Sequence, residues 1–490
     1  MATSVAPLTE EFPTRLVIGG ERVEASSGRT TSIVNPATEE EVCGVAQGDE
    51  RDIDLAVRSA RQTFESDGWR NLSARKRGEM LYRLGELCIA HKDELARLET
   101  LNNGKPLFES HIDIALTAQV YKYYGGWADK IHGETIPVDG PFFNYTLREP
   151  LGVVGAIVPW NFPASLASWK IGPALACGNT IVLKPAELTP FTGLRMAELA
   201  LEAGFPPGAF NCVSGQGSKA GAALVKHPEV DKIAFTGSTE IGQQIMRDAA
   251  GTVKKLSLEL GGKSPNIVFA DADLEAAARG ALTGIFYGKG EVCAAGSRLL
   301  VEDSARDELQ NRIVERGRKM VAGDPLNPKT KLGAIVSKKQ MERVLDYIAT
   351  GKKEGATLLL GGERSPVNGK GYFVQPTIFG DVEKEMTIAR EEIFGPVLAM
   401  LTFSGGVDAA AELANSTIYG LAAGIWTRDI RKALKTARAV RAGTIWINTY
   451  NMYDAASPFG GFKQSGFGRD LGMHALDGYT QVKSVWVDLS

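Results

Sequence analysis

The chain has 490 residues, 44% hydrophobic and 23% charged, with a formal net charge of -3, enough for two or three domains with sizeable cores and ordinary for a globular protein in water. That balance, with no Lys/Arg cluster against it, excludes a general nucleic-acid binder, which needs a basic stripe. Five scattered cysteines (Cys43, Cys88, Cys177, Cys212, Cys293) and five histidines (His91, His111, His132, His227, His474) without zinc-like spacing exclude a disulfide framework, point to a reducing compartment and argue against a metal site.

The N-terminal stretch Met1 to Pro13 is polar, with Glu10 and Glu11 and no basic start or apolar run, so it does not read as a signal peptide. No stretch approaches the roughly 20 apolar residues of a membrane span. The expectation is a cytoplasmic protein with no membrane partner. Arg15 to Glu24 reads as a hairpin turning at Gly19-Gly20. Ile53, Ala56, Val57, Ala60 and Phe64 share a helical face. A second helix is expected from Met80 through Leu81, Leu84, Leu87 and Cys88 to Leu98, stopped by Asn102-Asn103-Gly104 and Pro106, and a third from Ile112 to Trp127. Cys88 falls on the apolar face and reads as core.

Phe142 to Arg148 alternates apolar and polar residues, as does the C-terminal Tyr479 to Val487. Edge strands of this kind invite pairing with another subunit, so the two together read as an oligomerisation arm; an ordinary edge hairpin is the alternative. From Leu151 the rhythm becomes strand and helix in turn. Short apolar strands are expected at Gly152–Val158, Thr180–Leu183, Phe210–Val213, Lys232–Phe235, Val253–Leu258 and Asn266–Phe269, with helices such as Gly193–Ala203 and Gly217–His227 between them. This is the pattern of a mainly parallel sheet covered on both faces. A second αβ pattern runs from Asp271 to about Asn448, with Cys293 near its start, which sets the crevice between two units.

Ligands bind outside the carboxyl ends of such strands, and the residues there are chemically loaded: Pro159-Trp160-Asn161-Phe162, Lys184-Pro185-Ala186-Glu187, Thr236-Gly237-Ser238 leading to Gly242, and Glu259-Leu260-Gly261-Gly262. The glycine turn at Gly237 to Gly242 opens a helix, whose N-terminus suits a pyrophosphate, although a plain βα turn reads the same way. Lys184 and Glu187 offer a cation and a carboxylate that could hold ribose hydroxyls and repel a 2′-phosphate. Glu259, between leucines, has a setting that raises its pKa and suits a general base. Asn161 offers an amide N–H of the kind that stabilises oxyanions. Cys293, in Val292-Cys293-Ala294-Ala295-Gly296, has small neighbours that leave its sulfur and backbone N–H accessible. A free cysteine more often packs as a small hydrophobe, but base, donor and phosphate-type turn converge on it.

The motifs Pro159-Trp-Asn-Phe-Pro163, Lys184-Pro-Ala-Glu187, Phe235-Thr-Gly-Ser-Thr239, Leu258-Glu-Leu-Gly-Gly-Lys263, Cys293 with Gly296-Ser-Arg298, Glu391-Glu-Ile-Phe-Gly-Pro396 and Pro458-Phe-Gly-Gly-Phe-Lys-Gln-Ser-Gly466 strongly resemble those of the NAD(P)-dependent aldehyde dehydrogenases, closest to the broad-specificity tetrameric group. The resemblance spans nearly the whole chain and implies an α/β fold: a Rossmann-type cofactor domain (1–131 and 150–262), a second α/β catalytic domain (263–463) and a small β oligomerisation arm (132–149 and 476–490) that pairs between subunits, giving a homodimer or homotetramer. It implies an aldehyde as partner and NAD as cofactor, with NADP less favoured. It implies that Cys293 is the nucleophile, forming a thiohemiacetal and then a thioester. Asn161 and the Cys293 N–H would hold the oxyanion and Glu259 would activate water, with protons relayed by Lys170 and Asp470. Lys184 and Glu187 would meet the adenosine ribose and Ser238, with Gly237 and Gly242, the pyrophosphate. Glu392 and Phe394 would meet the nicotinamide ribose and ring, while Trp160 and Leu260 line the groove.

Two positions depart from the family. Glu291 stands where many members carry glutamine; the favoured expectation is that it points to solvent, since aimed at the sulfur it would raise the thiol pKa. Asp470 stands where relatives of the broad-specificity group usually carry glutamate. By matching positions the aldehyde tunnel would be lined by Phe162, Leu166, Trp169, Tyr287, Val292 and Tyr453. An indole at 169 in place of arginine favours uncharged aliphatic or aromatic aldehydes, or a cationic head group through cation–π contact. Asp454 and Asp113, placed near the mouth, keep an aminoaldehyde or betaine-aldehyde substrate open. A coenzyme-A-acylating relative is a distant alternative, disfavoured because such an enzyme needs no hydrolytic base like Glu259.

Overall fold

The computed structural model describes residues 12–490; the reading of the first eleven residues as no signal peptide lies outside them. Five parallel strands form the centre of one sheet, in the order Lys255–Glu259, Lys232–Thr236, Val153–Ile157, Thr180–Lys184, Phe210–Cys212. Antiparallel additions close its edges: Gly466–Phe467 beside Glu259, and the hairpin Leu16–Ile18/Glu21–Val23 beside Cys212. The three middle strands are buried along their whole length, as both-face coverage by helices requires. The chain leaves Val153–Ile157 in one direction and returns on its other side at Lys232–Thr236, so the strand order reverses between these two. The crevice at such a reversal is where open α/β sheets bind ligands.

A seven-stranded sheet, again mostly parallel, runs Thr357–Leu360, Thr377–Gly380, Val397–Phe403, Arg298–Glu302, Pro265–Val268, Ala422–Trp426, Thr444–Ile447. The apolar run at 266–269, expected to continue the first alternation, sits in the middle of this second sheet. Its apolar character required only burial on both faces, which either sheet supplies.

The helix from Glu50 to Glu65 forms as expected, opened by a capping box between Asp49 and Asp52. The expected helix over residues 80–98 is two helices, Ala74–Ala90 and Lys92–Asn103, broken at His91 (φ -99°, ψ 21°). Leu87, Cys88, Leu95 and Leu98 are buried on both sides of the break, so apolar spacing runs through it and does not mark it. Gly104 ends the second helix in the left-handed region (φ 84°), and a Cβ there would lie 2.6 Å from the Ala334 carbonyl oxygen. The third helix is longer than expected, Leu107–Trp127. The expected helix at 217–227 opens as a π turn, Gly217–Gly221, before Ala222–Lys226.

Phe142–Pro150 pairs antiparallel with Thr480–Asp488 of the same chain, from Phe142 opposite Asp488 to Pro150 opposite Thr480. This corrects the expectation that the pair forms between subunits. The cause is a pin at its base: the Asn179 amide oxygen accepts from the N–H groups of Leu151 and Gly152, while its Nδ2 donates to the Tyr479 carbonyl at 2.9 Å. The strands must therefore leave the core side by side. Among the described residues no helix is long and apolar enough to cross a membrane, and no group of three metal-ligating side chains converges.

Candidate active site

Cys293 follows a loop whose backbone is unusual: Gly288, Lys289 and Gly290 all have positive φ. A Cβ at Gly290 would lie 2.1 Å from the Gly395 carbonyl oxygen, and one at Gly262 would lie 2.3 Å from the Cys293 carbonyl oxygen. Only glycine permits these approaches, and they press the cysteine loop against the Gly261-Gly262 turn that follows Glu259. The loop ends in Tyr450 Oη donating to the Ala294 carbonyl at 2.9 Å. Cys293 is half-buried. Its pKa is pushed up to about 12 by burial, then by the charge of Glu392 and of Glu259. Both carboxyl groups are near enough for their charge to act on the sulfur.

Glu259 closes its strand at the first sheet's carboxyl edge and is 3% exposed, with neither carboxylate oxygen hydrogen-bonded. Burial, reinforced by Asp470, holds its pKa well above the ordinary carboxylate range, against the pull of Lys170 and Arg469. Lys170 and Asp470 form an ion pair with side chains 0% and 1% exposed. The structure thus brings Glu259, Lys170 and Asp470 into one buried group. Lys232 joins them, its pKa lowered to about 7 by burial and then by Lys170; its Nζ donates to Ser257 Oγ at 2.5 Å and lies 4.7 Å from the centre of the Tyr479 ring.

Asn161, just beyond the Val153–Ile157 strand, is 4% exposed. Its Nδ2 donates to the Glu291 carbonyl at 2.8 Å, and its Oδ1 has no partner. One amide N–H is thus anchored two residues before the cysteine and the second is left over. Glu291 itself corrects the expectation of a solvent-facing side chain. It is fully buried, its carboxylate lies 2.8 Å from Lys289 Nζ, and its Oε1 accepts from Val336 N at 3.1 Å. The charges that act most strongly on Cys293 are those of Glu392 and Glu259. A buried carboxylate seeks its counter-ion, and Lys289, two residues away, supplies it.

Gly237 and Ser238 follow the Lys232–Thr236 strand, and Ser238 caps the helix Thr239–Ala249 by accepting from Ile241 N at 3.4 Å. Gly242 lets this helix close on Leu260: a Cβ there would lie 2.5 Å from the leucine side chain. Lys184 ends its strand 4% exposed, its pKa lowered to about 8 by burial against the opposing charge of Glu187. Glu392 accepts from Gly262 N at 2.8 Å and is raised by burial to about 7. Phe394 takes positive φ (62°) and meets Trp160 edge-on, ring centres 5.2 Å apart. Unspent N–H groups at a helix N-terminus, a lysine–glutamate pair and a Trp–Phe corner line the strand-order reversal. Their chemistry fits a dinucleotide: anion donors, hydroxyl acceptors and an aromatic wall.

The expected tunnel residues form two aromatic walls. Phe162 stacks on Tyr287 (6.3 Å, 13°), and Trp169 meets Tyr453 at 6.2 Å; Leu166 and Val292 are buried within the same cluster. Phe459, not singled out from sequence, completes the second wall at 5.5 Å from Trp169 and 5.7 Å from Tyr453. Asp113 corrects another expectation. It lies inside the protein, 2% exposed, with its Oδ2 2.5 Å from Lys105 Nζ. Asp454 remains at the surface.

Sequence reasoning also missed a buried charge network beside the tunnel. Lys105 pairs with Asp113 and Glu99 and lies 4.2 Å from the centre of the Phe162 ring. Glu109 accepts from Gly288 N and is raised by burial to about 8. Its only sequence signal was three carboxyl groups (Glu99, Glu109, Asp113) near a single lysine (Lys105) on apolar helical segments.

The Aldehyde dehydrogenase family profile matches residues 23–485. The chain is 50% identical to human aldehyde dehydrogenase 1A1 over 481 residues, covering 97% of this chain and 95% of that protein. It superposes with TM-score 0.97 on the NAD+ complex of an aldehyde dehydrogenase from Bacillus cereus, at 50% identity and 99% coverage of both chains. An indole-3-acetaldehyde dehydrogenase of P. syringae, solved with NAD+ and IAA, matches at TM-score 0.96 and 46% identity over 98% of both chains.

Proposed function

The chain belongs to the aldehyde dehydrogenase family and is an NAD-dependent, aldehyde-oxidising enzyme, and from that premise we propose that it converts an uncharged aliphatic or aromatic aldehyde to its carboxylic acid through a thiohemiacetal and a thioester on Cys293. The carrying observation is Glu259, a buried carboxylate with both oxygens unpartnered whose charge reaches the half-exposed sulfur of Cys293. A fold gains nothing by burying such a group; a hydrolytic step needs one.

In this reading the Cys293 thiol releases its proton to water as its sulfur attacks the aldehyde carbonyl. The remaining N–H of Asn161 and the backbone N–H of Cys293 hold the oxygen as it gains charge, worth roughly 3–4 kcal/mol for one such donor. NAD, when bound, supplies the acceptor for the hydrogen that leaves the substrate. Glu259 then takes a proton from water to hydrolyse the thioester, and the Lys170–Asp470 pair behind it sets the field in which that proton is held. Ser238 and the first turn of its helix receive the pyrophosphate, with Gly237 and Gly242 giving the close approach. Lys184 and Glu187 receive the adenosine ribose, Glu392 the nicotinamide ribose, and Trp160, Phe394 and Leu260 border the groove. The unit built on the first sheet is the cofactor-binding domain, and that built on the second carries the nucleophile.

The substrate class rests on the walls of Phe162, Tyr287, Trp169, Tyr453 and Phe459, with Asp113 neutralised by Lys105. The relative solved with NAD+ and IAA is an indole-3-acetaldehyde dehydrogenase, whose substrate is an aldehyde bearing an aromatic ring. The three rings at Trp169, Tyr453 and Phe459 favour a second reading, a cationic aldehyde held by cation–π contact. A panel of aliphatic, aromatic, amino and betaine-type aldehydes with NAD and no coenzyme A, read by NADH absorbance, decides between them. Silence over the whole panel overturns the proposal. Cys293→Ala is expected to abolish NADH formation while NAD binding persists. The exposed Phe142, Phe143, Leu147, Val482 and Trp486 of the paired strands support self-association through the arm into a dimer or tetramer. Light scattering tests it, a monomer at micromolar concentration being the contrary result.

A further inference from the structure

A closed ring of contacts ties the oxyanion donor to the cysteine loop through three side chains, Asn103, Lys289 and Glu291, for which the chemistry above has no use. Asn103 Nδ2 donates to the Trp160 carbonyl at 2.8 Å; Asn103 Oδ1 accepts from Lys289 Nζ at 2.6 Å, and its carbonyl accepts from the same ammonium at 3.1 Å. Lys289 Nζ lies 2.8 Å from the Glu291 carboxylate. The Glu291 carbonyl takes Asn161 Nδ2 at 2.8 Å, and Asn161 is bonded in sequence to Trp160, where the ring closes. Every side chain in the ring is buried: Asn103 and Glu291 at 0%, Lys289 at 1%, Asn161 at 4%. Val336 N–H on Glu291 Oε1 ties the ring to a third segment.

Two features mark the pair as more than filler. Lys289 holds φ 60°, a conformation uncommon for a long side chain that persists where surroundings over-determine it. An all-carbon pair of similar size would fill the space without burying charge. We infer that the buried Lys289–Glu291 ion pair is a positioning device for acylation: it fixes the Glu291 carbonyl, hence the orientation of the Asn161 amide, and with it the approach of the two-residue link to Cys293. Neither side chain touches the reacting atoms. Their partners are Asn103 at the end of the helix Lys92–Asn103, Asn161 just beyond the strand Val153–Ile157 and the loop at Val336, so three parts of the fold meet at one pair of residues. A misplacement of an ångström at a reacting centre costs about a hundredfold in rate, the scale on which such a device matters. The inference rests on the proposed roles of Cys293 and Asn161.

The test is rapid-mixing measurement of the NADH burst in the full-length enzyme with one active aldehyde, alongside NAD affinity by fluorescence. Lys289→Gln and Glu291→Gln, each leaving one buried charge alone, are expected to slow the burst rate constant by about tenfold to a hundredfold, with burst amplitude per folded site and NAD affinity unchanged. K289Q/E291Q replaces the ion pair by two amides of matched length that restore the ring by hydrogen bonds, and is expected to return the burst to within about threefold of wild type. A merely structural pair would lower the melting temperature and the amplitude while leaving the rate constant alone. Wild-type burst rates in the single variants overturn the inference, as does a double variant as slow as the product of the two singles. Cys293→Ala runs beside them: a burst that survives it overturns the catalytic reading underneath, whereas an abolished burst with unaffected single variants overturns this inference alone.

Discussion

Two groups of buried charge flank the same cysteine loop and are built in opposite ways. Beside the tunnel, Lys105 and Lys289 face the carboxyl groups of Glu99, Glu109, Asp113 and Glu291, and each carboxyl has a cation or a donor: Lys105 and Thr192 for Glu99, Gly288 N for Glu109, Lys105 for Asp113, Lys289 and Val336 N for Glu291. Behind Glu259, Lys170 and Asp470 satisfy each other and leave its carboxylate without a side-chain partner. A satisfied buried charge rigidifies its surroundings, because moving any member exposes another to a low-dielectric interior. A carboxyl group with no cation paired to it keeps its oxygens free to take up a proton and release it. On the reading proposed above, that difference separates scaffold from chemistry, where composition alone shows two ionic clusters.

The sharpest way to break this contrast is at Glu259. Glu259→Gln is expected to cut steady-state turnover by about 10³-fold, within the range for loss of a general base, while the first-turnover NADH burst survives; loss of the burst as well would place Glu259 in the attack step. Next in size is the pair behind it. Lys170→Met strands Asp470 in the interior and is expected to cost roughly 3–5 kcal/mol by chemical denaturation, with K170M/D470L recovering most of it. Asp470→Asn also carries a pH signature. Asp470 raises the Glu259 pKa, so its removal should move the acid limb of thioester hydrolysis to lower pH; a limb that stays put would detach Asp470 from the base.

On the satisfied side the expected effect is smaller and lies in stability. Glu109 has its pKa raised from 4.5 to about 8 in the folded protein. Between those values the folded state holds a proton that the unfolded chain has lost. This contribution is complete below about pH 4.5 and fades as pH rises through 8. Glu109→Gln should lack that decline, so its melting temperature relative to wild type should climb from pH 5 to pH 9. A constant difference across that range would show Glu109 ionised in the fold. Smallest is Glu187, outside both groups: Glu187→Ala should raise the NADP-to-NAD preference by about tenfold through loss of a charged acceptor at the ribose, and steady-state kinetics with both cofactors would expose an unchanged ratio.

The strand ends at Asn161, Lys184, Ser238 and Glu259 were legible because alternating short apolar strands and helices dictate a parallel sheet, and a parallel sheet gathers its carboxyl ends. The hairpin at Gly19-Gly20 and the stop at Gly104 were legible for a similarly local reason, since the turn chemistry lies in the residues themselves. The break at His91 was not, because the apolar spacing continues across it.

Apolar spacing and turn chemistry were enough to put Asn161, Lys184, Ser238 and Glu259 at strand ends and to order the elements that carry them. Where the charged side chains go depends on contacts made only once the chain has folded. Glu291 turns inward because Lys289 waits beside it, and Lys289 is held by Asn103, 186 residues away in sequence. Asp113 goes inside because Lys105 is buried with it, and the arm pairs within its own chain because Asn179 pins both strands at their base. Periodicity reports which face of an element is apolar; the cost of burying a charge is settled by which cation folds back onto it, and spacing along the chain does not show that.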